Sequence, residues 1–234
     1  MSDTPHAIVP PPGLPDALPL FVLPSILLLP RGRLPLNIFE PRYRAMIDDA
    51  LGNNRMVGVV QQLEPADKRA GSKQEGQDGQ TANSPLYKVG CAGKIMTFSE
   101  TEKGNYLLSL QGICRFALGE ELPPHGGGYR RAKPDWSAYG GDLAEAPHGM
   151  VDRIRLYAAL RNYFRVHGIT ANWDVIKETA DEHLIISLAM TCPFAPWEHQ
   201  AILEASNLTE RAQLLLSLIE MATLDQGDNE MVRH

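Results

Sequence analysis

Positive charge, cysteine and long apolar runs are all scarce in this chain, and each shortage removes a class of function. Lys and Arg number 22 against 28 Asp and Glu, a formal net charge of -6. The chain as a whole lacks the positive field that releases counterions from a nucleic-acid backbone. Three cysteines, Cys91, Cys114 and Cys192, stand far apart with no CxxC pair. An odd, unpaired set neither builds a disulfide framework nor spaces a zinc site, and it favours a reducing compartment. The longest strongly apolar run, Leu20 to Pro30, is too short to cross a bilayer and is broken by Pro24 and Ser25. The opening MSDTPHAIVPPPGLPDALPL has no basic segment ahead of an apolar one, so it does not read as a secretory signal. A cytoplasmic protein with no membrane partner is expected.

Signatures of chemistry are missing as well. No GxSxG marks a serine nucleophile, and no HExxH or His-Cys cluster marks a metal. A P-loop needs GxxxxGK followed by Ser or Thr; the nearest approach, Gly93-Lys94-Ile95, has no glycine at the required spacing and Ile95 where the hydroxyl belongs. Cys114 has Arg115 beside it, and an adjacent cation can lower a thiol pKa. A small buried core residue is the commoner fate of such a cysteine. His183 and His199 each sit beside a glutamate without a second ligand at helical spacing. Asp48 and Asp49 could form an acid pair, but Arg44 lies one turn before Asp48, which favours a surface ion pair. Asn207-Leu208-Thr209 matches a glycosylation sequon and is better explained as a helix cap. No catalytic residue, metal or cofactor is expected.

What the chain does hold is a change of periodicity. Ahead of Tyr139 the apolar residues come in short runs bounded by Gly and Pro, which predicts strands over Leu18 to Leu23, Ile26 to Leu29, Met56 to Gln61, Leu86 to Phe98, Tyr106 to Ile113, Arg115 to Leu118 and Tyr129 to Lys133. Lys103-Gly104-Asn105 supplies hairpin turn chemistry between two of them. One helix interrupts this half. Pro41 suits its first position, Glu40 meets its positive end, Gly52 would cap it in the left-handed conformation, and Tyr43, Met46, Ile47, Ala50 and Leu51 form an apolar stripe.

From Met150 the period is helical. Ile154, Tyr157 and Phe164, widened by Leu156, Leu160 and Tyr163, line a first helix that Gly168 ends. A second begins after Asn172 and continues or restarts through Leu184, Ile185 and Leu188. Pro196 opens a short helix with Trp197, Ala201 and Ile202. Asn207 and Glu210 box the start of a last helix striped by Leu208, Ala212, Leu215, Leu216 and Ile219. The expected organisation is a flexible proline-rich segment over 1–17, a β subdomain over 18–136 with a mobile polar loop at 64–85, a linker at 137–149, a helical bundle over 150–224 and a flexible tail over 225–234.

Two phrases are too particular to be generic: LPLFVLPSILLLP from Leu18, and PLNIFEPRYRAMIDDAL from Pro35 to Leu51. VGCAGKIMTFSETEKGNYLLSLQGICRFALGEE and DEHLIISLAMTCPFAPWEHQAILEASNLTERAQLLLSLIEM follow in order. Together they resemble the amino-terminal substrate-binding domain of the Lon protease family, over nearly the whole chain. The resemblance implies an α+β protein: a PUA-like β-barrel or curled antiparallel sheet, then a small all-α bundle. It also implies recognition of unfolded or degron-bearing polypeptide, in the company of a protease or chaperone complex. The ATPase and Ser-Lys peptidase modules of the full-length proteases have no counterpart in these 234 residues, so the chain is read as a stand-alone, non-catalytic module.

Within IFEPRY the structural reading puts Phe39 in the core, Glu40 at the helix end and Arg42 or Tyr43 between the two halves. The functional one has Phe39, Arg42 and Tyr43 lining a peptide groove, with Phe98 and Trp136 as further polypeptide-binding candidates. The alternative function is RNA or small-ligand binding by the PUA-like half, for which Arg31, Arg33, Arg130, Arg131 and Lys133 beside Trp136 would serve. A peptidase with a cryptic site stands behind both. A homo-oligomer stays open.

Overall fold

Runs of β-branched and leucine residues bounded by Gly and Pro become strands when their apolar side chains find cover, as in Met56–Val60, which is buried throughout. A computed structural model describes residues 12–63, 84–144 and 151–231, with side chains described as far as Leu224. It divides into two compact units, Met1–Glu145 and Ala146–His234. Most of the loop expected at 64–85, most of the proline-rich segment and the second half of the expected linker lie outside the described residues.

The first unit is a six-stranded sheet: β1 (Leu18–Val22), β2 (Arg33–Ile38), β3 (Met56–Val60), β4 (Val89–Glu100), β5 (Tyr106–Leu122) and β6 (Arg130–Asp135). The order is β2-β5-β4-β3-β1-β6, and β6 pairs with β5 as well as β1, so the sheet curls back on itself. All pairings are antiparallel except β1 with β3. Inside the curl Leu18, Leu20, Val22, Val60, Phe116 and Trp136 pack together, with the Phe116 and Trp136 rings 5.7 Å apart and edge to face. Burial of this kind contributes about 25 cal/mol per Å² of apolar surface, the main favourable term for such a sheet.

Three sequence expectations change here. Ile26 to Leu29 forms no strand: Ser25 and Arg31 take positive φ at either end, and Leu27, Leu28 and Leu29 are buried as a plug. Arg33–Ile38 is a strand that was not expected, an edge strand in which Pro35 is tolerated because one side carries no ladder. The two strands expected across Tyr106 to Leu118 are one strand of 17 residues. Cys114, where the two were expected to part, stays in the ladder opposite Ala92. The hairpin turn is as expected, with Gly104 at φ 77 and its N–H donating to the Thr101 carbonyl at 2.8 Å.

Helix α1 (Pro41–Leu51) opens on Pro41 and buries Tyr43, Met46, Ile47 and Ala50. Gly52 is right-handed at φ -73, not the left-handed cap expected; the positive φ falls on Arg55, at 59. Arg44 does not pair with Asp48: its guanidinium lies 5.0 Å from the Tyr106 ring centre. Beyond β6 a 3-10 turn, Gly140–Leu143, lies against β5 in the stretch expected to be linker, because Asp142 takes the Arg115 side chain.

The second unit is helical: α2 (Arg153–Val166), α3 (Trp173–Glu178), α4 (Asp181–Thr191), α5 (Pro196–Glu204) and α6 (Leu208–Met231). The helix after Asn172 restarts, at Asp181, and α6 runs on past Leu224. On α2 the buried face is Leu156, Ala159, Leu160 and Tyr163, while Ile154 is 86% exposed. Tyr157 and Phe164 turn instead toward Trp173 of α3, at ring distances of 6.5 and 5.8 Å. Aromatic pairing between two helices has rotated the stripe that a single period would place.

His199 on α5 is buried, and its Nε2 donates to the Cys192 carbonyl at 3.2 Å, leaving Nδ1 buried without a partner. Burial holds the imidazole below its ordinary pKa, against the smaller opposing pulls of that carbonyl and Glu198. The folded state thus prefers the neutral ring. Its contribution to stability is complete above the ordinary value of 6.5 and is lost as pH falls below it. Between pH 7.5 and 5.5 the urea midpoint of this unit is expected to drop further in the native chain than in His199→Gln, whose amide can still donate to Cys192. Equal drops would show that His199 carries none of the acid sensitivity.

Candidate functional site

The candidate surface is built where β2 runs into α1. Ile38 pairs with Tyr106, which pairs in turn with Glu100, so β2, β5 and β4 end in one row. One residue beyond Ile38 the chain must turn into the Pro41 helix, and Phe39 at that corner is 66% exposed. The expectation of Phe39 in the core is corrected: the strand face that would bury it has ended. Glu40, at the N-cap, makes no side-chain cap; its carboxylate binds Arg42, whose guanidinium lies 4.6 Å over the Tyr43 ring.

Phe98 shares this end of the sheet. It is 41% exposed and meets the Tyr106 ring edge to face at 4.9 Å, so the Tyr106 ring carries Phe98 and the Arg44 guanidinium. Leu107, on the opposite face of β5, and Met96, at the bulge in β4, are also exposed. Tyr106, Arg44, Met96 and Leu107 escaped sequence reasoning. Alternation along Tyr106-Leu107-Leu108 was the available signal, since a leucine out of phase with its neighbours must face outward.

The other two candidates are interior. Tyr43 is buried, its hydroxyl donating to the Val22 carbonyl at 3.0 Å and accepting from the Val22 N–H at 3.3 Å. Burial pushes its pKa up, so it stays a neutral donor that ties α1 to β1. Trp136 is buried inside the curled sheet, with its indole N–H donating to the Pro15 carbonyl. Neither side chain offers a surface to a partner.

The motifs set aside for chemistry resolve into structure. Cys114 is buried, and burial, followed by the nearby Asp142 charge, pushes its thiol up to about 12, far from a reactive thiolate. Of the basic candidates, Arg130 pairs with Glu121 at 2.6 Å and Lys133 with Glu120 at 2.7 Å, while Arg31 donates to the Asp142 and Ala144 carbonyls, Arg33 to Gln111 Oε1 and Arg131 to the Pro123 carbonyl. Asp49 belongs to no acid pair; its Oδ2 accepts from the Tyr129 hydroxyl at 2.7 Å and lies 3.3 Å from His125 Nδ1. These groups line a polar cleft of about 320 Å³ beside the end of α1. Among the described residues no group of three or more His, Cys, Asp or Glu could hold a metal, and no helix is long and apolar enough to cross a membrane.

Comparison with known proteins places this arrangement. Lon protease 2 of Myxococcus xanthus is 27% identical over 223 residues, which is 89% of this chain and 25% of that protein. Lon protease 2 of Sorangium cellulosum is 26% identical over 92% of this chain and 26% of its own length. The chain thus spans about a quarter of the length of the curated relatives it matches. Among solved structures, a Lon N-terminal domain protein from Xanthomonas campestris superposes with a TM-score of 0.56 at 20% identity, over 86% of this chain and 97% of that one. The N-terminal domain of the Mycobacterium avium complex Lon protease gives 0.51 at 15% identity, over 87% and 97%. A sheet that curls onto β6, followed by a helical unit, is therefore an arrangement shared with such domains. The family model of the ATP-dependent protease La (LON) substrate-binding domain runs over residues 17–221, and the chain belongs to that family.

Proposed function

We propose that this chain captures polypeptide, unfolded or carrying a recognition segment, without chemistry of its own, as an adapter in protein turnover. The observation that carries the reading is the exposure of Phe39, Phe98 and Met96, with Leu107 on the other face, at the end of the sheet where β2, β4 and β5 finish. Large apolar side chains left outside at one end of an otherwise well-buried sheet supply anchors for apolar segments of a partner. Arg44 stands beside Phe98, both resting on the Tyr106 ring. Pro35 on the free edge of β2 interrupts strand addition there, which favours side-chain anchoring over β-augmentation. The internally paired Arg130 and Lys133, and the burial of Trp136, weigh against an RNA surface.

Cargo that must be released calls for an affinity near micromolar, about -8 kcal/mol. A Phe39→Ser, Phe98→Ser double variant is expected to bind an unfolded model protein about 10- to 100-fold more weakly, each phenylalanine losing about 1.5–3 kcal/mol of burial at most. Fluorescence anisotropy of labelled, reduced and alkylated substrate measures this. Both side chains are already exposed, so folding should be preserved. Unchanged affinity would overturn the site, and RNA co-eluting in place of protein would overturn the function. The substrate should stay intact with or without ATP; cleavage that persists through further purification would contradict a non-catalytic module.

A further inference from the structure

We propose that Arg44 reads the carboxylate of an acidic side chain in the captured polypeptide, so that the cargo is a segment in which Asp or Glu stands within about three residues of a large apolar side chain. This rests on the reading of Phe39 and Phe98 as polypeptide anchors and names the kind of segment they take. The Arg44 guanidinium lies 5.0 Å from the centre of the Tyr106 ring, and the centre of the Phe98 ring lies 4.9 Å from the same point. Cation and apolar anchor are therefore within about 10 Å of each other. An extended chain covers that distance in about three residues.

Arg44 is a cation without an anion. Among the described residues no carboxylate or carbonyl accepts from its side chain, and its Nε is buried with no partner. The residue is half-buried, and Nη1 and Nη2 are the nitrogens left open to solvent. Stacking on Tyr106 fixes the plane of the guanidinium before anything binds, so little side-chain freedom is lost when a carboxylate meets it. Gly104, which the turn between β4 and β5 holds at φ 77, keeps that approach clear: a Cβ there would sit 3.9 Å from both Nη atoms. Arg42, two residues earlier, is already held by Glu40 at 2.6 Å.

The surroundings decide which carboxylate fits. A chain terminus is captured by a nest of free backbone N–H groups. Here the amides of Thr101, Gly104 and Asn105 donate within their own turn, and that of Arg44 donates to the Glu40 carbonyl. A fork of side-chain donors without a nest suits Asp or Glu in a segment that runs on in both directions. The other charges of that turn, Glu100, Glu102 and Lys103, are all exposed. Glu100 Oε1 faces the same glycine, 4.0 Å from where its Cβ would be, but it does not pair with Arg44 and leaves the guanidinium unneutralised.

Three labelled peptides of about twelve residues, titrated with the full chain by fluorescence anisotropy, test this. One carries glutamate two residues from a phenylalanine and an amidated C-terminus; the second has glutamine in its place; the third is the glutamine peptide with a free C-terminal carboxylate. The glutamate peptide is expected to bind about 3- to 10-fold more tightly than the other two, the range for one charge-assisted contact at a half-exposed place. At about 0.5 M salt the preference should shrink to less than about twofold. Arg44→Gln should weaken the glutamate peptide to the level of the glutamine peptide. Should that variant lose every peptide, Arg44→Lys, which keeps the stem over Tyr106, decides: an ammonium cannot form the planar fork, and the preference should fall by about half or more. Equal binding of the two amidated peptides by the native chain, a preference that survives high salt or both Arg44 variants, or binding of the free-carboxylate peptide as tight as that of the glutamate peptide would overturn the proposal. Phe39→Ser, Phe98→Ser should weaken all three by the same factor. If no peptide binds the native chain, capture of polypeptide fails and this reading with it; binding without preference defeats this one alone.

Discussion

Asp142→Ala is expected to destabilise the β unit by about 3–5 kcal/mol, the usual cost of leaving one partner of a buried ion pair alone. The Asp142 carboxylate accepts from Arg115 three times, from the backbone N–H, from Nε and from Nη2, each at 2.9 Å. The two side chains are only 7% and 10% exposed. Truncation at position 142 strands a guanidinium inside the fold, where water cannot replace the lost acceptor. Arg115→Met in the same chain should recover much of the loss, because removing both charges removes the desolvation cost along with the bond. Hydrogen exchange of the β5 amides in increasing urea reads the β unit on its own, which matters in a chain of two units. A loss below about 1 kcal/mol would mean that the guanidinium finds solvent, and the pair would count as a surface bridge.

That pair also marks where sequence reasoning stops. Arg115 and Phe116 stand out in QGICRF as residues of a specific pattern, yet the partner of Arg115 is 27 positions on, in a polar glycine-rich stretch that reads as linker. Periodicity reports which face of an element is apolar; it does not report which loop folds back to meet a charge. Helix α1 was legible to the residue because proline, stripe and spacing all agree. Phe39 was not, since an apolar residue between a strand and a helix carries no phase to say whether the corner is covered. The same limit explains α2, where the pull of Trp173 on Tyr157 and Phe164 turned the buried face. In the candidate site, Phe98 could be named from its aromatic type and strand context. Tyr106 beneath it could be placed only once register put the two rings together.

Gly112→Ala should be as damaging as the loss of Asp142, by a different route, about 3 kcal/mol or more. A Cβ at position 112 would sit 2.0 Å from the Leu29 carbonyl oxygen, a backbone atom that no rotamer change can move aside. The same glycine accepts from Arg31 N–H and donates to the Gly32 carbonyl, both at 2.8 Å, so the Leu27 to Gly32 segment is clamped against β5 through atoms that a side chain would displace. Glycine is needed for closeness of approach, since the carbonyl occupies the space a side chain would take. Relief of the clash requires the buried leucine plug to move out of the sheet, and with it the start of β2, which leads to Phe39. Gly112→Ala should therefore lower both the urea midpoint of the β unit and the affinity for unfolded protein. Gly126→Ala, whose Cβ would meet nothing within 4 Å, should change neither. If Gly112→Ala unfolds at the native midpoint, the Leu27 to Gly32 segment is not held as described, and the support beneath the Phe39 corner must come from α1 alone.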